Sequence, residues 1–370
     1  MESIKKIVDN RHEHLRGLKA RGDKLIGYLC SYCPEEILVA AGLVPVRILS
    51  TEESISMADA YMQPFYCPNS RGCLDEALCG NYDYLDGLIY PYSCEHMRCA
   101  FSSWKLHVPG GYFRFLDVPS WVGTPEAQNF FVQELDDFIK ELEKTFNVSI
   151  SQEALQQAIL TCNESRRILR DIYSLRESSP PPLSGVDAHY LNLANLLCPK
   201  DEIIVKLKGV LEHLKSTPPP KPDGQPRVMV VGSELHNVNI MKIIESAKVT
   251  VVTDDLCVGT RNIWDDVETE GDPLANIAAR YLTRIRCPVK HPSSESRFPH
   301  IKELIRRFNV EGAILIHQKF CGPHEWQRPR LEAMFKELQI PCTFLETDAV
   351  ISEGQISARV SALKEIIKGK

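Results

Sequence analysis

Gly87-Leu88-Ile89-Tyr90, with Cys94 shortly after it, and Gly312-Ala313-Ile314-Leu315-Ile316, with Cys321 shortly after it, decide the fold. Each is a short apolar run bounded by polar turns, which reads as a strand buried on both faces of a parallel sheet. Each is entered through an acid and a glycine, Asp86-Gly87 and Glu311-Gly312. Each is then followed by a cysteine, a helical stretch, another strand and an aspartate, Asp117 or Asp348. This weak internal repeat of βαβ units predicts an α/β protein with two similar parallel sheets facing each other across a cleft. In such sheets ligands bind beyond the carboxyl ends of the strands, so Cys94 and Cys321 are expected at one shared site. Thiolates converging from distant sequence most naturally hold a soft metal or an iron–sulfur cluster.

The flanking sequence fits this plan. Residues 4–22 read as one charged amphipathic helix. Gly27 to Glu36 runs a short strand into a helix with Pro34 near its start, where a missing N–H is harmless. That helix ends at Gly42, and Val44 to Ile48 follows as a strand. A short helix lies between Cys67 and Gly80, a strand at 85–90, a helix through Trp104 and a strand at 112–116. Apolar residues at three- and four-residue spacing predict helices over about 125–146 and 151–176. Ser-Ser-Pro-Pro-Pro at 178–182 and Thr-Pro-Pro-Pro-Lys-Pro at 217–222 are stiff linkers. A fresh α/β unit begins at Arg227, with strands at Val228–Val231 and Val249–Val252 around a helix from about 237. The expected domains are 1–124 (α/β), 125–222 (helical insert and linker) and 223–370 (α/β), the two α/β units being Rossmann- or flavodoxin-like.

Composition excludes several classes. No apolar run reaches membrane-spanning length, and Met1 to Lys6 carries no secretory core. A net charge of −6 offers no basic face for nucleic acid. Thirteen cysteines without a secretory signal predict a reducing cytoplasm, with some thiols as ligands and the rest as small core side chains.

An isolated cysteine at a strand end is more often core than ligand. Cys67, Cys94 and Cys321 stand apart because each lies in a polar loop, where function concentrates. None of the three pairs with another at Cys-x-x-Cys spacing, which argues against a zinc ribbon, a thioredoxin-type site or a ferredoxin. Gly232-Ser233 follows a strand as a phosphate-binding turn would, but lacks a complete dinucleotide or P-loop pattern. His96, His317 and His324 neighbour the cysteines as acids, bases or hydrogen-bonding scaffold. Trp104, Trp326 and Tyr90 to Tyr92 read as packing.

Taken in order, several short motifs resemble the subunits of 2-hydroxyacyl-CoA dehydratases and benzoyl-CoA reductases. They begin with Gly27-Tyr28-Leu29-Cys30-Ser31-Tyr32-Cys33-Pro34-Glu35-Glu36, Ala41-Gly42 and Pro45-Val46-Arg47. Cys67-Pro68-Asn69-Ser70-Arg71, Tyr82 to Gly87 and Cys94-Glu95-His96-Met97-Arg98 follow. The insert carries Asn163, Arg166, Leu175-Arg176 and Leu183-Ser184-Gly185. The last third adds Gly232-Ser233, Asp254-Asp255, Gly259-Thr260-Arg261 and Lys319-Phe320-Cys321.

The resemblance implies a 4Fe-4S cluster held by Cys67, Cys94 and Cys321, with one iron left open for an acyl-CoA substrate. It implies a lyase or a related ATP-dependent reductase, in which one electron from a separate ATP-hydrolysing iron–sulfur activator forms a ketyl radical anion on the substrate. It also implies a homologous subunit as dimer partner. Ser31 falls at the family's position for a hydroxyl beside the open iron; its alternative role is a cap for the helix starting near Pro34. Glu35 and Glu36 read as first-turn acids that complement the helix dipole. Glu52 and Glu53 match poorly the acid that serves some members as proton donor. Part of the family holds a double-cubane 8Fe-9S cluster on about six cysteines. Cys73 and Cys99, with Cys30, Cys33 or Cys79, would bring Cys67, Cys94 and Cys321 to that number. That alternative implies ATP-driven low-potential reduction of small molecules. A third reading is a non-catalytic subunit that relays electrons or holds a structural cluster.

Overall fold

The protein is described here by a computed structural model covering residues 1–218, 220–221 and 224–369. Part of the 217–222 linker, and the expected boundary at 222, lie outside the described residues. β1 (Leu25–Tyr28), β2 (Val44–Arg47), β3 (Gly87–Pro91) and β4 (Tyr112–Leu116) form a sheet in the order β2-β1-β3-β4. β5 (Arg227–Gly232), β6 (Thr250–Asp255), β7 (Gly312–Gln318) and β8 (Cys342–Thr347) repeat that order in a second sheet. Every neighbouring pair is parallel. The order is that of a flavodoxin-like sheet. The expected fold class is therefore found.

The repeat extends to register and to individual hydrogen bonds. Ile26 lies opposite Gly87, and Val228 lies opposite Gly312. One residue earlier, the Leu25 N–H donates to Asp86 at 2.9 Å and the Arg227 N–H donates to Glu311 at 2.7 Å. The acid before each glycine thus satisfies a strand-end donor that would otherwise go unpaired. The glycine is required at the first of these sites: a Cβ on Gly87 would lie 2.7 Å from the Tyr112 carbonyl oxygen.

The expected single helix over 4–22 is two, α1 (Glu2–Asp9) and α2 (Arg11–Ala20), divided at Asn10 (φ −115°, ψ 43°). Asparagine disfavours helix interiors because its amide competes for nearby backbone groups. α3 (Glu35–Ala40), α4 (Pro68–Leu78) and α5 (Glu95–His107) complete the first α/β unit. α6 (Pro125–Phe146), α7 (Gln152–Leu175), α8 (Gly185–Asn195) and α9 (Lys200–Ser216) follow. Thr124, Ser151 and Ser184 start α6, α7 and α8, each accepting a first-turn N–H. α10 (Val238–Ser246), α11 (Thr260–Ile263), α12 (Pro273–Thr283), α13 (Ser294–Arg307), α14 (Gly322–Glu337) and α15 (Glu353–Lys368) surround the second sheet. Among the described residues no helix is long and apolar enough to cross a membrane.

α7 ties the halves together, packing on α3 of the first and on α11 and α12 of the second. A buried polar network runs along this seam. Arg166 of α7 pairs with Glu36, which also accepts from the Tyr281 hydroxyl of α12 at 2.9 Å. Glu35 accepts from Tyr28 at 2.8 Å and from Lys200 at 3.2 Å. Glu35 and Glu36 do open α3, yet they are 5% and 0% exposed. Their partners are buried cations and phenols, so their main role is to join three segments of chain.

Candidate functional site

The order β2-β1-β3-β4 reverses direction between β1 and β3, and the second sheet reverses between β5 and β7. Loops leaving such a switch point part to opposite faces and open a crevice. The two crevices here merge into one cleft of about 420 Å³, lined from both sheets. Cys67, Cys94 and Cys321 all line it.

Each of these three cysteines is the residue immediately before a helix: Cys67 before α4, Cys94 before α5 and Cys321 before α14. Free N–H groups and the positive end of a helix dipole favour a thiolate there. Local sequence fixes each turn. The Tyr90 hydroxyl accepts from the N–H groups of Ser93 and Cys94, both at 3.0 Å, and donates to the Cys94 carbonyl at 2.6 Å. The Cys67 N–H donates to His96 Nδ1 at 3.1 Å, and its thiol lies 3.4 Å from the Ser70 hydroxyl. Phe320 takes a left-handed φ of 62° just before Cys321, a costly conformation for a bulky residue and one that clusters at functional sites.

Three further cysteines line the same cleft: Cys30, Cys257 and Cys287. The lining thus takes Cys30, Cys67 and Cys94 from the first half and Cys257, Cys287 and Cys321 from the second. Of the additional thiols expected from sequence, only Cys30 is among them. Cys33 and Cys73 are buried in the apolar cores and Cys79 is exposed at the end of α4. Cys99 lies on α5 with its thiol 3.3 Å from the Tyr66 hydroxyl. Cys30 and Cys33 do have Cys-x-x-Cys spacing, but one lines the cleft and the other is buried in an apolar core. Ser31 occupies the turn behind Cys30, its carbonyl accepting from Arg284 at 2.7 Å. Cys30, rather than Ser31, lines the cleft. Glu52 and Glu53 line a different cavity, beside Asp75 and Glu76.

Cys257 and Cys287 went unseen in the sequence, although the repeat carried a signal. Cys287-Pro288 in the β6–β7 connection answers Cys67-Pro68 in the β2–β3 connection. Cys257 stands two residues past β6, a strand end that carries no cysteine in the first half.

Burial dominates the electrostatics. It pushes the thiols of Cys67, Cys94, Cys287 and Cys321 up, and the neighbouring thiols add to the rise at Cys94 and Cys321. Cys257 is pushed up to about 12 by burial, with Arg47 and Arg261 opposing. Without a metal these groups are neutral thiols near pH 7, and a soft cation would displace their protons. Among the described residues no three His, Cys, Asp or Glu side chains gather closely enough to hold a single metal ion. Six thiols are instead spread around the cavity, beside Glu95, His96, Glu234 and His324, and soft sulfur donors in that number fit an iron–sulfur cluster better than one ion. Burial keeps His324 well below its ordinary value and His317 at about 4, so both are neutral scaffold. His324 Nε2 lies 3.9 Å from the Cys287 thiol, and His317 faces Glu325 at 3.4 Å.

A family model for the 2-hydroxyglutaryl-CoA dehydratase D-component matches residues 30–367. A benzoyl-CoA reductase subunit of Thauera aromatica is 30% identical over 86% of this chain and 84% of its own length. The (R)-phenyllactyl-CoA dehydratase beta subunit of Clostridium sporogenes is 27% identical over 93% of this chain and 92% of its own. The (R)-2-hydroxyglutaryl-CoA dehydratase beta subunit of Acidaminococcus fermentans is 26% identical over 99% of this chain and 98% of its own. With its paired sheets, its shared cleft and a match over nearly its whole length, the chain belongs to the family of 2-hydroxyacyl-CoA dehydratase and benzoyl-CoA reductase subunits.

Proposed function

We propose that the cleft holds an iron–sulfur cofactor of the double-cubane type, and that the chain uses it for ATP-driven, low-potential reduction of a small molecule. The observation that carries this reading is the lining of six cysteines, three from each half. A single cubane with one open iron takes three thiolates, whereas two cubanes joined by a sulfide take about six. When bound, such a cofactor supplies single electrons at low potential.

The chain's own residues would hold, orient and shield that group. Cys67, Cys94 and Cys321 present thiolates at three helix N-termini, which offset part of the negative charge. Tyr90 and His96 fix the turns that carry Cys94 and Cys67. Tyr92, Met97, Val289 and Phe320 add apolar surface to the cleft lining. The partners this reading calls for are a homologous subunit and an ATP-hydrolysing iron–sulfur activator. The relatives are themselves subunits of larger enzymes, which supports an assembly of several chains.

A second reading is favoured by the names of the relatives, two of which are dehydratases of acyl-CoA esters. In it Cys67, Cys94 and Cys321 would hold one 4Fe-4S cluster, which would supply the single-electron chemistry for removing the hydroxyl of an acyl-CoA. Iron and sulfide counts on anaerobically reconstituted protein separate the two. About eight irons per chain support the first reading, about four the second, and none ends both. ATP consumption gives an independent check. A dehydratase recycles its electron and needs ATP only in catalytic amounts, whereas a reductase consumes ATP in proportion to product.

A further inference from the structure

Arg47 is the last residue of β2, paired in register with Tyr28, and its guanidinium lies 5.8 Å from the centre of the Tyr28 ring. It is 3% exposed, and its Nε and Nη1 have no hydrogen-bond partner. Among the described residues lining the cleft it is the only lysine or arginine. A buried guanidinium with unmade hydrogen bonds is expensive, and folds keep one where an anion meets it. Glu234 on the same wall is hydrogen-bonded to His236 Nδ1 at 3.1 Å. Burial raises its pKa, but His236 and then Arg47 pull it down, so it offsets part of the Arg47 charge but does not meet the Nε and Nη1 donors. Burial alone would lower the pKa of Arg47. Cys257, Cys30, Glu234 and Tyr28 outweigh burial and hold it above its ordinary value, so the cation persists throughout the working pH range.

We propose that Arg47 is the resident counter-charge of the cleft, on the wall that also carries Cys30 and Cys257, and that it sets the potential at which an anionic cofactor held there takes up an electron. This rests on the cofactor reading above. A cluster on thiolates gains one negative charge when a low-potential donor reduces it. A fixed cation nearby, in a medium of low dielectric, stabilises the reduced form more than the oxidised one.

The test compares the wild-type chain with R47Q and R47K, each reconstituted anaerobically with iron and sulfide. Iron and sulfide are counted, and the midpoint is found by spectroscopically monitored reductive titration. R47Q is expected to bind iron as the wild type does. At the poise where the wild type is half reduced, its ratio of reduced to oxidised cluster should fall at least tenfold, a one-electron shift of about 59 mV to more negative potential. R47K, which keeps the charge, should stay within about threefold. If R47Q takes up no iron while R47K does, Arg47 serves loading rather than the potential, and the inference as stated is overturned. An iron-loaded R47Q chain with an unmoved midpoint overturns this inference alone, as does equal failure of R47Q and R47K to load. A wild-type chain that takes up no iron overturns the cofactor reading and this inference with it.

Discussion

Cys94 and Cys321 occupy matching points of the two halves: each lies three residues past the end of a central strand, at Pro91 or Gln318, and each immediately precedes the following helix. Cys67-Pro68 and Cys287-Pro288 each lie in the connection that enters that strand, although Cys67 directly precedes α4 and Cys287 sits in a turn seven residues before α13. The site is therefore built twice, once from each sheet, and closed by bringing the two switch points face to face. Neither half alone supplies more than three of the lining thiols.

This arrangement predicts the outcome of thiol replacement. Cys94→Ala and Cys321→Ala should abolish the visible iron–sulfur absorbance of reconstituted protein if three thiols hold one cubane, and lower it to roughly half if six hold two. Cys162→Ala and Cys198→Ala should retain it, since both thiols are buried within or beside the helical insert, away from the cleft. Cys257→Ala and Cys287→Ala discriminate between the two readings. Iron should fall to roughly half under six-thiol ligation and stay unchanged under three-thiol ligation. Full iron content in a Cys321→Ala chain would end both.

Tyr90 read as packing from the sequence, and its ring is indeed buried. Its hydroxyl is the hub of the Cys94 turn, taking two N–H groups and giving one hydrogen bond. Tyr90→Phe leaves those groups without their partner in a largely buried turn, at a cost of about 1–3 kcal/mol. The variant should melt earlier in urea and load less iron at equal protein concentration. An unaltered midpoint with full iron would show that the turn holds without the hydroxyl.

The fold was legible because parallel strands buried on both faces leave continuous apolar runs, and Gly87 and Gly312 mark where two such runs begin. The repeated acid before each glycine was visible too, although its hydrogen bond to the neighbouring strand was not. Cys67, Cys94 and Cys321 stood out through polar loops and family motifs. Cys257 and Cys287 did not, because a thiol's place in a cleft depends on the distance between two sheets, which no local pattern records. The same limit hid the roles of Glu35 and Glu36. First-turn acids are usually solvated, and only the tertiary contacts of α3 with Arg166 of α7, Lys200 of α9 and Tyr281 of α12 show that these two are sealed. Arg47 was seen only as part of a motif, since its unmade hydrogen bonds are a property of the folded wall.

Stability should fall in mild acid through buried histidines. Burial holds His189 and His300 at about 4, below the ordinary 6.5. A group whose folded pKa is depressed contributes stability that is fully present above its unfolded pKa and is lost as pH falls through the folded one. The window is thus from about 6.5 down to about 4. Each histidine contributes on the order of 3 kcal/mol at most across it. His300 rests edge-on against Trp264 at 4.8 Å, and neither of its ring nitrogens has a hydrogen-bond partner. His300→Phe should therefore fold at pH 7.5 and show a shallower loss of stability between pH 6.5 and 4, read by denaturant melts at each pH. A slope equal to that of the wild type would mean that His300 is charged in the folded protein.

The Glu36–Arg166 pair joins α3 to α7, and with Tyr281 it links both halves to the insert. Burial raises the carboxyl's pKa, but Arg166 and Arg280 outweigh it and hold Glu36 at about 2. Removing one partner strands a buried charge, so Glu36→Gln and Arg166→Met should each cost about 3–5 kcal/mol. Replacing both removes the stranded charge, and the double variant should recover a large part of that loss, since apolar replacements of buried pairs are often near neutral. Denaturant melts of the four proteins form a double-mutant cycle whose coupling energy measures the pair directly. Neither residue lines the cleft, so the spectrum of the reconstituted cluster should be unchanged in every variant that folds. Additive losses with no coupling would mean that Glu36 is satisfied mainly by Tyr281. A changed spectrum in a folded variant would show instead that the seam sets the spacing of the two sheets at the thiols.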